Sequence, residues 1–320
     1  MAAPARPAAS SLAVWAGIVV LYLVWGSTYL GIKIAVGSIP PFVMGAMRFV
    51  PAGLLLAGAV AWRHRRTIRR PTGRQLLDSA TVGGFLMLGG MGLVALGEQT
   101  VSSGIAALFI GLMPMWLAIF SRLIFADRLP LAATAGIAIG IVGVAILAWP
   151  AGGVGDLDPG GVAALVASPI CWSLGSLYAA RRAVLPAPAL VSTGIQMVFG
   201  GLLLGVAALA TGELTGFDPG AVTARSWGGL AYLLSVGSLV GYTTYAWLLT
   251  VAPLPRIATY AYVNPVVAVV LGWLVLGEPL SVRTVVAAAV IVIGVVLIVS
   301  ARGRGPAERR AVPAVEPTGV

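Results

Sequence analysis

Residues 113–131 read MPMWLAIFSRLIFADRLPL, and residues 264–282 read NPVVAVVLGWLVLGEPLSV. Pro114 falls on Pro265, Asp127 on Glu278 and Leu129 on Leu280, at a constant offset of 151 positions. Upstream, Gly26-Ser27-Thr28-Tyr29 falls on Gly175-Ser176-Leu177-Tyr178 at an offset of 149, and the GLLL run at Gly53 recurs at Gly201. The chain is written twice. Each copy is expected to hold an odd number of membrane spans, which turns the second copy upside down. Inverted repeats of this kind are the structural mark of alternating-access carriers.

Composition sets the solvent. The 320 residues are 59% hydrophobic and 9% charged, with a mean hydropathy of +1.00. Soluble domains carry about 25% charged residues, so the chain reads as an all-α polytopic membrane protein. The net charge of +10 does not point to nucleic acid, because the arginines lie in short blocks between apolar runs. Cys171 is the one cysteine and His64 the one histidine. That excludes a disulfide within one chain and a thiolate metal site. No metal and no cofactor is expected. The first apolar run extends from Leu12 to about Val36, too long for a cleaved signal core of about 7–15 residues, and is read as a span.

A helix needs about 20 apolar residues to cross the hydrocarbon. Candidate spans are 13–36, 42–62, 76–97, 102–125, 131–149, 160–180, 190–210, 227–249, 257–276 and 282–300. The division is then a short tail over 1–12, a first repeat of five helices over 13–150, a second and inverted repeat over 151–300, and a disordered tail over 301–320. With both ends in the cytoplasm, most of the 20 basic residues fall inside. They include the block from Arg63 to Arg74, Arg122, Arg128, Arg181, Arg182, Arg256 and the tail arginines, as the positive-inside rule requires.

The residues also match a known pattern. The runs Tyr22 to Tyr29 with Lys33, Pro40-Pro41-Phe42 and Met47-Arg48-Phe49 resemble the opening of EamA-type transporters of the drug/metabolite transporter superfamily. Gly97-Glu98-Gln99-Thr100, Ser103 to Ala107 and Pro114 are similar to that family's third and fourth spans. Ala258 to Ala268 is similar to its ninth span, and Gly277-Glu278 to the stretch after that span. The likeness covers residues 13–300 and is nearest to the YedA-like branch of metabolite exporters. It implies ten helices in two inverted five-helix halves, a central cavity lined by the first four helices of each half, and small-molecule transport, often export. Asp127 stands where the family usually has Glu, and Arg128 comes directly after it. The resemblance fixes no substrate.

Candidate working residues emerge from breaks and rare polar groups. Trp25 to Thr28 is expected to interrupt the first span, and Ser168-Pro169 with Ser173 to Ser176 the sixth. Paired breaks mark binding sites in transporters; close packing of small residues is the competing account. Trp25 and Trp172 lie mid-span, unlike Trp15, Trp62, Trp149 and Trp227 at span ends. With Ser27, Thr28, Tyr29, Ser176 and Tyr178 they would line a cavity suited to an amphipathic organic solute. Tyr242, Tyr245, Tyr260, Tyr262 and Asn264 would add to it, with interhelical hydrogen bonding as the rival role. Pro114, Pro169 and Pro265 are hinge candidates.

Lys33, Arg48 and Glu98 are charged residues at membrane depth, where a charge is by default functional and needs a partner. Glu98 is expected to pair with Arg48 or Lys33. It could serve as a proton-coupling carboxylate, a substrate counter-ion or a structural pair. Asp127 and Glu278 are read as structural caps of the helix that closes each copy. Gly136 to Gly140 forms a GxxxG run, read as packing on a neighbouring helix before a dimer face.

These readings converge on a secondary active transporter in the cytoplasmic membrane, exporting small organic metabolites or drugs. Its expected partners are the solute, protons as coupling ion and the lipid bilayer, in a monomer or a homodimer. No GxxxxGK[ST] run is present, so ATP is not hydrolysed by a motif of that kind. An uptake permease of the same fold is the nearest alternative. A membrane-embedded enzyme or receptor is disfavoured, because the spans hold no histidine and no close pair of acids.

Overall fold

The computed structural model describes residues 10–63, 70–148 and 158–303. The start of the N-terminal tail, most of the basic loop after Arg63, the repeat boundary at 150–151 and the tail from 304 onward lie outside the described residues. Among the described residues the backbone is helical with no strand. Eight helices are long and apolar enough to cross a bilayer: α1 (Ser11–Ala35), α2 (Pro41–Arg63), α3 (Gly73–Gly97), α4 (Ser103–Phe125), α6 (Pro159–Arg181), α7 (Ala189–Ala210), α8 (Ala224–Val251) and α10 (Val282–Ala301). Two apolar helices are shorter, α5 (Leu131–Leu147) and α9 (Tyr260–Leu276). Each expected span falls on one of these helices.

Helix starts obey local chemistry. Thr72 and Gln75 form a reciprocal capping box at α3, and Asp158 accepts from the Gly161 amide at α6 (2.6 Å). Two caps arrive from far away in sequence. Glu213 Oε2 accepts from the amides of Phe42 (2.9 Å) and Val43 (3.1 Å) at the start of α2. Glu278 accepts from the amides of Ser103 (2.7 Å) and Gly104 (3.1 Å) at the start of α4. This corrects the expectation that Glu278 caps α10. Ser281 takes that place, its hydroxyl accepting from the Thr284 amide (3.0 Å). Asp127 engages Ser121 and the Arg181 guanidinium, its loop lying against α4 and the end of α6.

Glycine sets how closely helices approach. A Cβ on Gly53 of α2 would lie 2.5 Å from the carbonyl oxygen of Gly194 in α7, and one on Gly194 would lie 2.8 Å from that of Gly53. The same reciprocal contact joins Gly136 of α5 and Gly294 of α10, at 2.6 and 2.8 Å. The GxxxG run of α5 is thus used inside the chain. Small residues let backbones pack where lipid offers no hydrophobic drive between helices. Beyond these pairs, α1 lies against α8 and α9, and α6 lies against α3 and α4. Exchanging the first five helices for the last five leaves this set of neighbours unchanged.

Two expectations test this packing. Gly136→Leu forces a side chain onto the Gly294 carbonyl, and overpacking costs about 1–3 kcal/mol. Its apparent Tm in detergent should drop by several degrees, while Gly58→Leu, which meets nothing within 4 Å, should hold or gain. The second concerns Glu213, whose carboxyl burial pushes above the usual carboxylate range despite the Val43 and Phe42 amides that pull it down. It binds more protons folded than unfolded. Its contribution to stability is therefore greatest in acid and lost as pH rises through the raised folded value. Glu213→Gln should flatten that part of the Tm–pH curve; an unchanged slope would remove Glu213 as its source.

Candidate functional site

Departures from regular α-helix gather on four elements. α1 stops at Gly26 and restarts at Thr28, with Ser27 between. α3 is π-helical from Gly84 to Gly92, and α8 from Leu233 to Val240. These two stretches occupy matching places in the two copies. α4 is interrupted at Gly111 and Leu112, ahead of its second segment from Met113. π segments are rare and concentrate at functional sites. The expected break in α6 is absent: Pro159–Arg181 is continuous, with Pro169 inside it. The unwinding falls on α3, the partner that α6 packs against.

Freed backbone groups find hydroxyls. Ser168 of α6 donates to the Gly90 carbonyl in the π segment (2.9 Å), and Ser173 to the Met113 carbonyl (3.2 Å). Ser27 donates to the Val24 carbonyl (3.0 Å) and also meets the hydroxyl of Tyr232 (2.5 Å). Thr28 donates to the Trp25 carbonyl (2.6 Å). In hydrocarbon such groups must be satisfied from within the protein.

Trp25 sits at this break and is the hub of an aromatic cluster. Its ring centroid lies 5.0 Å from Tyr260, 5.3 Å from Tyr245 and 5.6 Å from Tyr242. Tyr245 and Tyr260 are themselves 6.2 Å apart, edge to face. α1, α8 and α9 thus contribute four half-buried rings to one site. Gly241 makes room, because a Cβ there would lie 2.4 Å from the Trp25 indole nitrogen. Below the cluster, the Asn264 amide nitrogen, in the orientation that satisfies it, donates to the carbonyls of Tyr260 (3.2 Å) and Tyr22 (3.3 Å).

Other candidates lie elsewhere. Tyr178 donates to Asp78 Oδ1 (2.7 Å) at the junction of α3 and α6, apart from the Trp25 rings. Trp172 packs on Gly90 of the π segment. Ser176 is half-buried on α6. Tyr29 and Tyr262 pack against the core built by α4, α5 and α10. Pro114 is the second residue of the rear segment of α4, where its missing N–H costs little. Pro265 lies inside α9 and touches the position a Cβ on Gly111 would take (2.9 Å).

The expected pairing of Glu98 with Arg48 or Lys33 is not made. The Lys33 ammonium donates to the carbonyls of Glu98 and Val101 (2.9 Å) where α3 ends. The Glu98 carbonyl lies at the C-cap of α3, the negative end of the helix dipole, and the Val101 carbonyl in the loop that follows. Arg48 turns to α8, where Nε donates to Ser238 Oγ (3.0 Å). Glu98 is fully buried, and neither of its side-chain oxygens has a hydrogen-bond partner. Sequence reasoning missed Ser238, Tyr232 and Tyr22 as site residues, and Ser168 as more than part of a break. Their only signal is a hydroxyl next to glycine or at membrane depth, and many such positions in this chain are silent.

Against known proteins, residues 13–149 and 159–300 both match the EamA-like transporter family. The chain is 35% identical over 307 residues to the uncharacterized inner membrane transporter YedA of Escherichia coli K12, covering 95% of this chain and 96% of that protein. It is 25% identical to a chloroplastic WAT1-related protein of Arabidopsis thaliana, over 89% of this chain and 69% of that one. A solved crystal structure superposes with a TM-score of 0.60 at 22% identity, over 92% of this chain and 99% of the other; that likeness concerns the fold.

Proposed function

The chain belongs to the EamA-like transporter family, and from that premise we propose that it is a secondary active transporter exporting a small organic solute across the cytoplasmic membrane by alternating access. The two family matches, 13–149 and 159–300, support two halves; the arginine blocks, read by the positive-inside rule, support a second half inverted on the first, with both chain ends in the cytoplasm. The shorter α5 and α9 would complete ten crossings. The observation that carries the reading is the meeting of Trp25, Tyr242, Tyr245 and Tyr260 from three helices at the break in α1. Flat apolar faces beside hydroxyls suit an amphipathic solute. Ser27 and Thr28, bonded here to local carbonyls, would change partners as the break rewinds.

The gradient that drives transport is proposed to be that of protons, carried by Glu98. A carboxylate with no donor at either oxygen is costly in a buried site. Taking up a proton relieves that cost. Losing it would draw the Lys33 ammonium from the carbonyls of the loop joining α3 and α4. Lys33 and Glu278 are the charged groups within electrostatic reach, with Tyr29 the nearby phenol. Uptake along the same path would result from reversed gradients.

Reconstitution into liposomes with a metabolite panel, with and without an imposed pH gradient, tests this directly. At least one solute should move faster than in protein-free liposomes, and the pH gradient should accelerate it. Trp25→Ala should cut that flux by at least about tenfold, the equivalent of roughly 1.4 kcal/mol. Glu98→Gln should keep exchange but lose the response to the pH gradient. Movement of no solute beside an active control carrier would sink the reading. For the inverted halves, Arg128→Cys and Pro279→Cys, both at exposed positions, in a Cys171→Ser background should label from opposite compartments with an impermeant reagent. Labelling from one side would refute the inversion.

A further inference from the structure

Arg48 lies on α2 and is 3% exposed. Its Nε donates to Ser238 Oγ, and its guanidinium carbon stands 4.6 Å from the Phe49 ring centroid. Among the described residues no carboxylate lies within ion-pair distance of it; the ion pairs found are Arg74 with Asp78 and Arg181 with Asp127. Its terminal nitrogen lies over Gly237, 3.3 Å from where a Cβ would stand, and the Thr28 methyl lies 3.1 Å from the same point. Tyr242 is the ionisable group within its electrostatic reach, and the Tyr242 ring meets Trp25 at 5.6 Å. The guanidinium is thus next to both the aromatic cluster and the broken turn of α1.

A guanidinium carries five N–H donors, and Ser238 takes one. A buried cation without a counter-charge is expensive at membrane depth. The acids that could have neutralised it are engaged or distant. Glu213 and Glu278 hold helix starts, Asp78 holds Tyr178, and Glu98 faces Lys33 and Glu278. Local packing mitigates the charge through Phe49 without neutralising it. A planar fork of donors fits a carboxylate in two parallel bonds, and aromatic walls beside it fit an apolar body.

We propose that Arg48 and the Trp25–Tyr242 rings form a subsite for an amphipathic organic anion, Arg48 receiving the carboxylate and the rings the apolar part. Ser238 orients the guanidinium from α8, and Thr28 closes the site from α1. The subsite names the substrate class for the carrier proposed above and rests on that reading. Burial excludes a lipid headgroup at the bilayer surface, and the neighbouring rings favour an organic acid over a small inorganic anion.

Three probes that share an indole and differ in charge test it: indole-3-acetate, indole and tryptamine. The full-length protein in detergent is monitored by thermal unfolding and by equilibrium dialysis. Indole-3-acetate should raise Tm and bind at least about tenfold more tightly than the other two. Arg48→Gln should lose that preference, and Arg48→Lys should keep part of it. Where Arg48→Gln does not fold, the comparison on the unsubstituted protein and on Arg48→Lys decides. Equal binding of the three probes, or no binding of indole-3-acetate, overturns the subsite. Liposome flux separates the two ideas. Flux of a neutral or cationic solute without preference for the carboxylate overturns the subsite and spares the carrier. Binding of the carboxylate with no flux of any solute upholds the subsite and overturns the carrier.

Discussion

The structure depends on one constraint: in hydrocarbon, each backbone N–H and C=O must be paired from within the protein. A chain built only of straight α-helices meets it trivially. Here the helices are irregular at Ser27, at Gly84–Gly92, at Gly111 and Leu112, and at Leu233–Val240. At each of these places a hydroxyl from the same or a neighbouring helix covers a carbonyl at or beside the irregular turn: Thr28 on Trp25, Ser168 on Gly90, Ser173 on Met113, and Thr243 on Leu239 and Val240. A hydroxyl can swing to another acceptor with a side-chain rotation. The pairing that stabilises the irregular turns is therefore also what allows them to re-form. That couples local backbone chemistry to the shape change that the proposed alternating access would need.

Close glycine contacts supply the opposite property. Gly53 with Gly194, and Gly136 with Gly294, hold α2 to α7 and α5 to α10 through backbone-to-backbone approach. Such contacts leave no slack, because any added Cβ meets a carbonyl under 3 Å away. A third contact of this kind, Gly83 of α3 with Gly200 of α7, fixes α3 directly ahead of its π segment, where a Cβ on Gly200 would lie 2.7 Å from the Gly83 carbonyl oxygen. The aromatic cluster lies on α1, α8 and α9, outside these three pairs.

Much of this is legible in the sequence, and the reasons are physical. Span positions track hydropathy because the bilayer thickness fixes helix length. The break at Trp25 to Thr28 is legible because glycine and small hydroxyl residues there weaken the ladder. The matching residues in α6 mislead. A proline removes one donor from the ladder, and at Pro169 the surrounding α3 and α4 hold the helix through that gap. The π segments carry no hydropathy signal, since an i→i+5 pattern differs from i→i+4 in geometry alone. Glu278 on the start of α4 is invisible for another reason. The two partners stand 175 positions apart, and only the fold brings a carboxylate from one copy to a helix start in the other.

The Glu278 contact belongs to a wider electrostatic pattern. Acids near the helix ends are taken up by donors: Glu213 and Glu278 by amides, Asp158 by an amide and the Thr100 hydroxyl, Asp78 by Arg74, Tyr178 and the Val184 amide. Once these are subtracted, two charged side chains at membrane depth are unlike the rest. Arg48 has donors beyond what Ser238 accepts, and Glu98 has acceptors that no donor meets. They do not reach each other, since one leans on α8 and the other on the end of α3. A fold that gives its remaining acids donors, yet keeps this cation and this acid apart, is the arrangement on which the proposed anion and proton sites rest.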